Sequence, residues 1–150
     1  MNEYRSADKA VPVAAAIRMP PSWLRWIALL ALCAAYLQGG LVKAMDFPGA
    51  VAEVRHLGLD PAGPMAIATI VVELGASLMV LTGVHRWLGA LALAAFTLVA
   101  SFLANRFWQA PPGGQAMMAN AFFEHIGLVG GFLLVAWEDR RGRAGAGRMP

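Results

Sequence analysis

The chain has 150 residues, of which 59% are hydrophobic and only 14% charged, whereas a soluble domain carries about 45–50% apolar and about 25% charged residues. That composition argues against a soluble enzyme, and a single cysteine excludes a disulfide framework, a dithiol redox pair and a thiolate-rich metal site, all of which need a second sulfur. The net charge of +3 does not mark a nucleic-acid partner, because most basic residues sit near the chain ends beside apolar stretches, where they act as topology signals.

Residues 1–22 mix charges and alanines with Pro12, Pro20 and Pro21 and read as a flexible N-terminal segment. The first apolar stretch, about 23–42, is long enough to cross a bilayer, since about 20 residues at ~1.5 Å each span a hydrocarbon core of roughly 30 Å. No convincing A-x-A-like cleavage site follows it, and Leu32 is too bulky to precede a lipoprotein cysteine at Cys33, so the stretch reads as an anchor. Cys33 itself reads as a small packing residue. Between 43 and 63, Asp46 is placed to cap a helix entered through Pro48 and closed by Gly58, with Phe47, Val51, Val54 and Leu57 on one side. This predicts a short amphipathic helix on the outer membrane surface. Further spans follow at about 64–82, 87–105 and 119–137. The link at 83–86 is short enough to force an antiparallel hairpin, and 106–118, with Pro111, Pro112, Gly113 and Gly114, reads as an irregular external cap. Residues 138–150 read as a basic, flexible tail. The expected architecture is an all-α membrane protein, a four-transmembrane-helix bundle over 23–137.

All five tryptophans, Trp23, Trp26, Trp87, Trp108 and Trp137, fall at or near span ends, where amphipathic rings form an interfacial belt. Placing both termini in the cytoplasm puts nine of the twelve Lys and Arg residues inside, leaving Lys43, Arg55 and Arg106 outside, as the positive-inside rule favours. Gly127 and Gly131 form a GxxxG pair, and Ala31, Ala35 and Gly39 recur at the same interval, so these positions are expected to let helices pack closely.

A carboxylate in mid-span costs about 2.5–3.5 kcal/mol, so Glu73 needs an explanation. Either it is a protonated structural hydrogen-bonder or it serves a ligand or a proton; Thr69 and Ser77 share its face. Counted from the external ends, Glu73 lies ~13 Å deep, His125 ~9 Å, Glu124 ~7 Å and Gln38 ~6 Å, with Asn105 and Lys43 near the surface. The expectation is an outward-opening polar pocket lined by Gln38, Lys43, Glu73, Asn105 and Glu124, the last sharing a face with Gly127 and Gly131. His125, about 100° around the helix from Glu124, is left open as a further member. Snorkelling to the interface is the plainer alternative for these residues. No metal site is expected: adjacent Glu124 and His125 do not share a helical face, and His56 and His85 fall on opposite sides of the membrane.

Taken in order, Gly39-Gly40-Leu41-Val42-Lys43, Asp46-Phe47-Pro48-Gly49, Leu57-Gly58-Leu59, Val72-Glu73-Leu74-Gly75, Leu81-Thr82-Gly83, Phe107-Trp108 and Gly130-Gly131-Phe132-Leu133-Leu134 resemble the DoxX family, from about Leu24 to Ala136. The resemblance implies a multi-pass bacterial inner-membrane protein; some members are subunits of quinone-linked oxidoreductases, including thiosulfate to quinone electron transfer and terminal quinol oxidation. Lys43 and Glu73 fit the family pattern. The chain departs from it at Asn105, where members often have a histidine, and at Glu124-His125, where many have Lys-Asn.

No signal for haem, flavin, iron–sulfur or nicotinamide binding is present, so no covalently bound cofactor is expected and redox chemistry would use a diffusible quinone or a partner's cofactor. The leading expectation is an accessory subunit that binds quinone or another small hydrophobic molecule, with an oxidoreductase subunit or a second copy as partner besides the lipid bilayer. The sequence leaves open whether the chain catalyses anything alone. A non-catalytic assembly scaffold docking through the Gly127 and Gly131 face, and a small transporter, are the alternatives.

Overall fold

The computed structural model describes residues 21–146; most of the expected N-terminal segment and the last four residues lie outside the described residues. Five helices follow in order: α1 (Ser22–Met45), α2 (Phe47–His56), α3 (Ala62–Thr82), α4 (Arg86–Ala104) and α5 (Gln115–Ala146), with a 3-10 turn at Phe107–Gln109. No strand occurs among the described residues. α1, α3, α4 and α5 are each long and apolar enough to cross a membrane, and they form the expected all-α, four-span bundle. We call the end where α1 starts and α5 finishes the terminal end, and the end carrying α2 and the 3-10 turn the loop end.

Local sequence sets the connections. Asp46 caps α2 by accepting from the Gly49 amide at 3.1 Å, and Gly58 closes it with φ +74°, a value that costs glycine nothing. α2 is the expected short helix of the first connection, and its apolar side is docked on α3. Ala50 and Val54 bury against Ala62 and Ala66 of α3, because two alanines leave a recess that the valine fills; Leu57 turns inward and Phe47 stays exposed. Gly83, at φ +83°, makes the expected tight turn between α3 and α4.

The tail differs from expectation. α5 runs through 138–146 as helix, because Arg143 donates to Asp139 one turn back at 2.9 Å and reaches the Gly83 carbonyl at 3.3 Å. That pins the basic stretch against the α3–α4 turn.

Close helix contacts also fall at other glycines than those singled out by spacing. A Cβ on Gly89 would stand 2.7 Å from the Ala76 carbonyl oxygen, and one on Gly40 would stand 2.8 Å from the Leu74 side chain. Gly131 does face α1, with Leu32 at 3.2 Å, but Gly127 has nothing within 4 Å, and Ala31 and Ala35 are exposed. The core lies toward the terminal end: Leu29 and Cys33, Val80, Ala90 and Leu93, and Phe132 and Ala136 bury one another. Toward the loop end, every helix changes role.

Candidate functional site

Between the core and the loop end lies a cavity of about 520 Å³. Its walls are mostly aliphatic, including Ala35, Val72, Ala100, Leu103 and Leu128, and α2 roofs it through Val54, Leu57 and Glu53. A shallower depression of about 450 Å³, carrying His56, Arg106 and Gln109, shares Leu57, Leu103 and Ala104 with it, so the two are separated only by side chains that line both.

The floor is aromatic. Tyr36 stands edge-on to Phe132, with ring centroids 5.3 Å apart, and to Phe96 at 6.5 Å. Thr97 Oγ1 donates to the Leu93 carbonyl at 2.6 Å, so in the Tyr36–Thr97 hydrogen bond the phenol is the donor. This pair closes the cavity over the core.

On one wall is an ion pair. Lys43 Nζ lies 3.2 and 3.3 Å from the two carboxylate oxygens of Glu73, with side chains 19% and 8% exposed. Glu73 sits in a π-helical turn, Val72–Ala76, within α3; such single-turn widenings are frequent at functional sites. Gly39 faces the pair: a Cβ there would lie 3.4 Å from Nζ and 3.6–3.7 Å from the carboxylate oxygens. The missing side chain leaves both charges open to the cavity. Two ammonium protons suffice for the carboxylate, leaving a third donor for another acceptor.

On the opposite wall, Asn105 Nδ2 donates to His125 Nδ1 at 2.8 Å, which places the proton of a neutral imidazole on Nε2. His125 lines the cavity and Asn105 orients it from α4.

The structure thus brings together Lys43, Glu73 and His125, with Asn105 behind the histidine and Thr69 on the wall. Gln38 and Glu124, expected in the pocket, are exposed and do not line it. The α1 face toward the cavity runs through Tyr36, Gly39 and Lys43, and Gln38 is turned about 100° away from Gly39. On α5 the inward face carries His125, Leu128 and Phe132, which turns Glu124 outward. Ser77 is fully buried below the cavity. Sequence reasoning missed Tyr36, Thr97 and Glu53. Tyr36 was legible as the residue two turns before Lys43 on one helical face, and Thr97 as a hydroxyl in an otherwise apolar span; Glu53 gave no signal.

The sequence pattern of the DoxX family matches residues 24–106, more than half of the chain. The chain belongs to the DoxX family. The matched stretch of this DoxX protein runs from the first turn of α1 to just past α4, with Lys43, Glu73 and Asn105, and stops before α5, so His125 lies outside it. No curated protein and no solved structure matches the chain.

Proposed function

We propose that this DoxX protein is an accessory subunit of a quinone-linked redox system of the inner membrane, holding quinone or another small hydrophobic ligand in the cavity beneath α2. In this reading both termini are cytoplasmic and the cavity opens outward. The observation that carries it is the Lys43–Glu73 pair set in an aliphatic cavity of about 520 Å³, since ligand sites are mostly apolar clefts of roughly 300–1,000 Å³ with a few placed polar groups.

Bound quinone would supply two-electron, two-proton carrier chemistry. The chain's residues hold and orient it: the free Lys43 proton donates to a ligand oxygen, Glu73 accepts from a ligand hydroxyl, and His125 Nε2 offers a second polar contact. Tyr36 and Thr97 close the floor, and α2 limits water from above.

The test is extraction from native membranes in mild detergent, with mass spectrometry of co-purifying proteins and small molecules. Stoichiometric quinone, lost in Glu73→Gln at unchanged expression and helicity, together with an oxidoreductase subunit, is the expected result. A wild-type protein without quinone or other hydrophobic ligand, or a Glu73→Gln protein that keeps it in full, overturns the reading.

A further inference from the structure

The terminal end carries a cluster unrelated to the cavity. Arg25 on α1, Arg86 at the start of α4, and Arg140, Arg141 and Arg143 on α5 are accompanied there by two carboxylates, Glu138 and Asp139. Asp139 is already engaged: Arg143 Nε donates to it at 2.9 Å, and Arg86 approaches to 4.0 Å. Arg140 and Arg141 are held in a different way. Their guanidinium carbons lie 5.2 Å from the Trp87 ring centroid and 4.6 Å from that of Trp137. Among the described residues, neither forms an ion pair with a carboxylate.

Stacking on an indole restrains a guanidinium while its in-plane N–H donors point outward. A planar fork of such donors matches phosphate oxygens two at a time. Below Arg141, the same face of α5 continues through Trp137, Leu134 and Leu133, Gly130 and Ile126, which recur every three to four residues and are all exposed. Gly130 has nothing within 4 Å of where a Cβ would stand. The stripe leads from a cationic head position along an apolar track, the shape of one phospholipid.

We infer that Arg140 and Arg141, stacked on Trp87 and Trp137, bind the phosphate of an anionic phospholipid whose acyl chain lies along the exposed stripe of α5. A topology signal needs only positive charge. It does not need arginines fixed on tryptophans, nor an apolar track continuing from them. The site is independent of the cavity and of its ligand.

The experiment places the full chain in nanodiscs of equal phosphatidylglycerol and phosphatidylcholine, then counts retained lipids by native mass spectrometry after partial delipidation. The wild type is expected to retain phosphatidylglycerol preferentially. Arg140→Gln with Arg141→Gln lowers that preference by roughly fivefold per charge removed, at unchanged helicity and elution volume. Trp137→Leu, which keeps both charges, lowers it as well. Equal retention of the two lipids overturns the site, as does a preference untouched by the double substitution. A preference that survives Trp137→Leu and Arg-to-Lys replacement in full reduces it to diffuse charge and also overturns it. Inorganic phosphate that displaces the lipid at millimolar concentration would identify free phosphate as the ligand and overturn the lipid assignment.

Discussion

The two halves of this bundle are built from the same four helices, yet one is packed shut and the other is hollow. Each helix changes role at a similar level: α1 passes from Leu29 and Cys33 to Gly39 and Lys43, α3 from Val80 and Ala76 to Glu73 and Thr69, α4 from Ala90 and Leu93 to Ala100 and Leu103, and α5 from Ala136 and Phe132 to Leu128 and His125. In the packed half, Gly89 brings α4 against the α3 backbone. In the hollow half, α3 widens into a π-helical turn and small residues on α1 leave volume unfilled. The charges differ in their partners: at the terminal end Asp139, its side chain 11% exposed, lies between Arg86 and Arg143, whereas at the loop end the single carboxylate of α3, 8% exposed, pairs with a single lysine. Because the packed half already holds the helices together, the polar groups of the hollow half should not be needed for that purpose.

The largest effect is expected from unpairing the ions of the hollow half. Glu73→Ala leaves Lys43 charged beside an apolar cavity and should destabilise the protein by about 3 kcal/mol, the lower range for breaking a buried pair. Replacing both partners, Lys43→Met with Glu73→Leu, should recover most of that loss, since apolar side chains of similar volume remove the desolvation cost as well. Reversible denaturation in mixed micelles measures both. A double variant as unstable as Glu73→Ala would make the pair a structural element and erase the division between the halves.

In the packed half the largest effect should come from a methyl group. Gly89→Ala places a Cβ 2.7 Å from the Ala76 carbonyl oxygen and 2.8 Å from Met79 Cβ, so the α3–α4 contact must open, at about 1–3 kcal/mol. The same denaturation series reads it. A neutral Gly89→Ala would show that this contact is looser than the backbone geometry implies.

Much of this division was legible in sequence, and the missing part has one physical cause. Span length and hydropathy gave four helices, the chemistry of Asp46 and Gly58 and the shortness of 83–86 gave their connections, and the cost of a mid-span carboxylate pointed to Glu73. Rotation about each helix axis was not legible. Lipid is as apolar as a protein core, so hydrophobic periodicity does not say which side of α1 or α5 faces inward. Depth and spacing alone therefore point Gln38 and Glu124 into the pocket and Gly127 into a helix contact, whereas in the structure all three face outward. The π-helical turn and the close approach at Gly89 depend on tertiary contacts that a single sequence does not encode locally, whereas the helical course of 138–146 rests in part on the local Asp139–Arg143 pair, four residues apart.

At the boundary between the halves, Tyr36→Phe keeps the ring contacts with Phe96 and Phe132 and removes only the phenol that donates to Thr97. Thr97 still donates to Leu93, so no donor is stranded, and the cost should be about 1 kcal/mol. Tm in detergent checks this. A loss several times larger would mean that the hydrogen bond, not the aromatic packing, closes the floor.

Adjacent glycines give the smallest and most discriminating change. Gly39→Ala puts a methyl at ordinary contact distance from Lys43 and Glu73 and removes backbone freedom in a helix, so it should raise stability by about 0.5 kcal/mol. The methyl also covers the ion pair from the cavity side, and a ligand that reaches the pair there should bind more weakly. Gly40→Ala does the opposite: its methyl meets Leu74 at 2.8 Å and Glu73 Cβ at 3.2 Å, which strains the α1–α3 contact without entering the cavity. Thermal unfolding together with ligand retention separates the two. If Gly39→Ala is stabilised yet retains ligand as the wild type does, the ligand does not approach the Lys43–Glu73 pair over Gly39. The hollow half would then have to be read from its His125 wall instead.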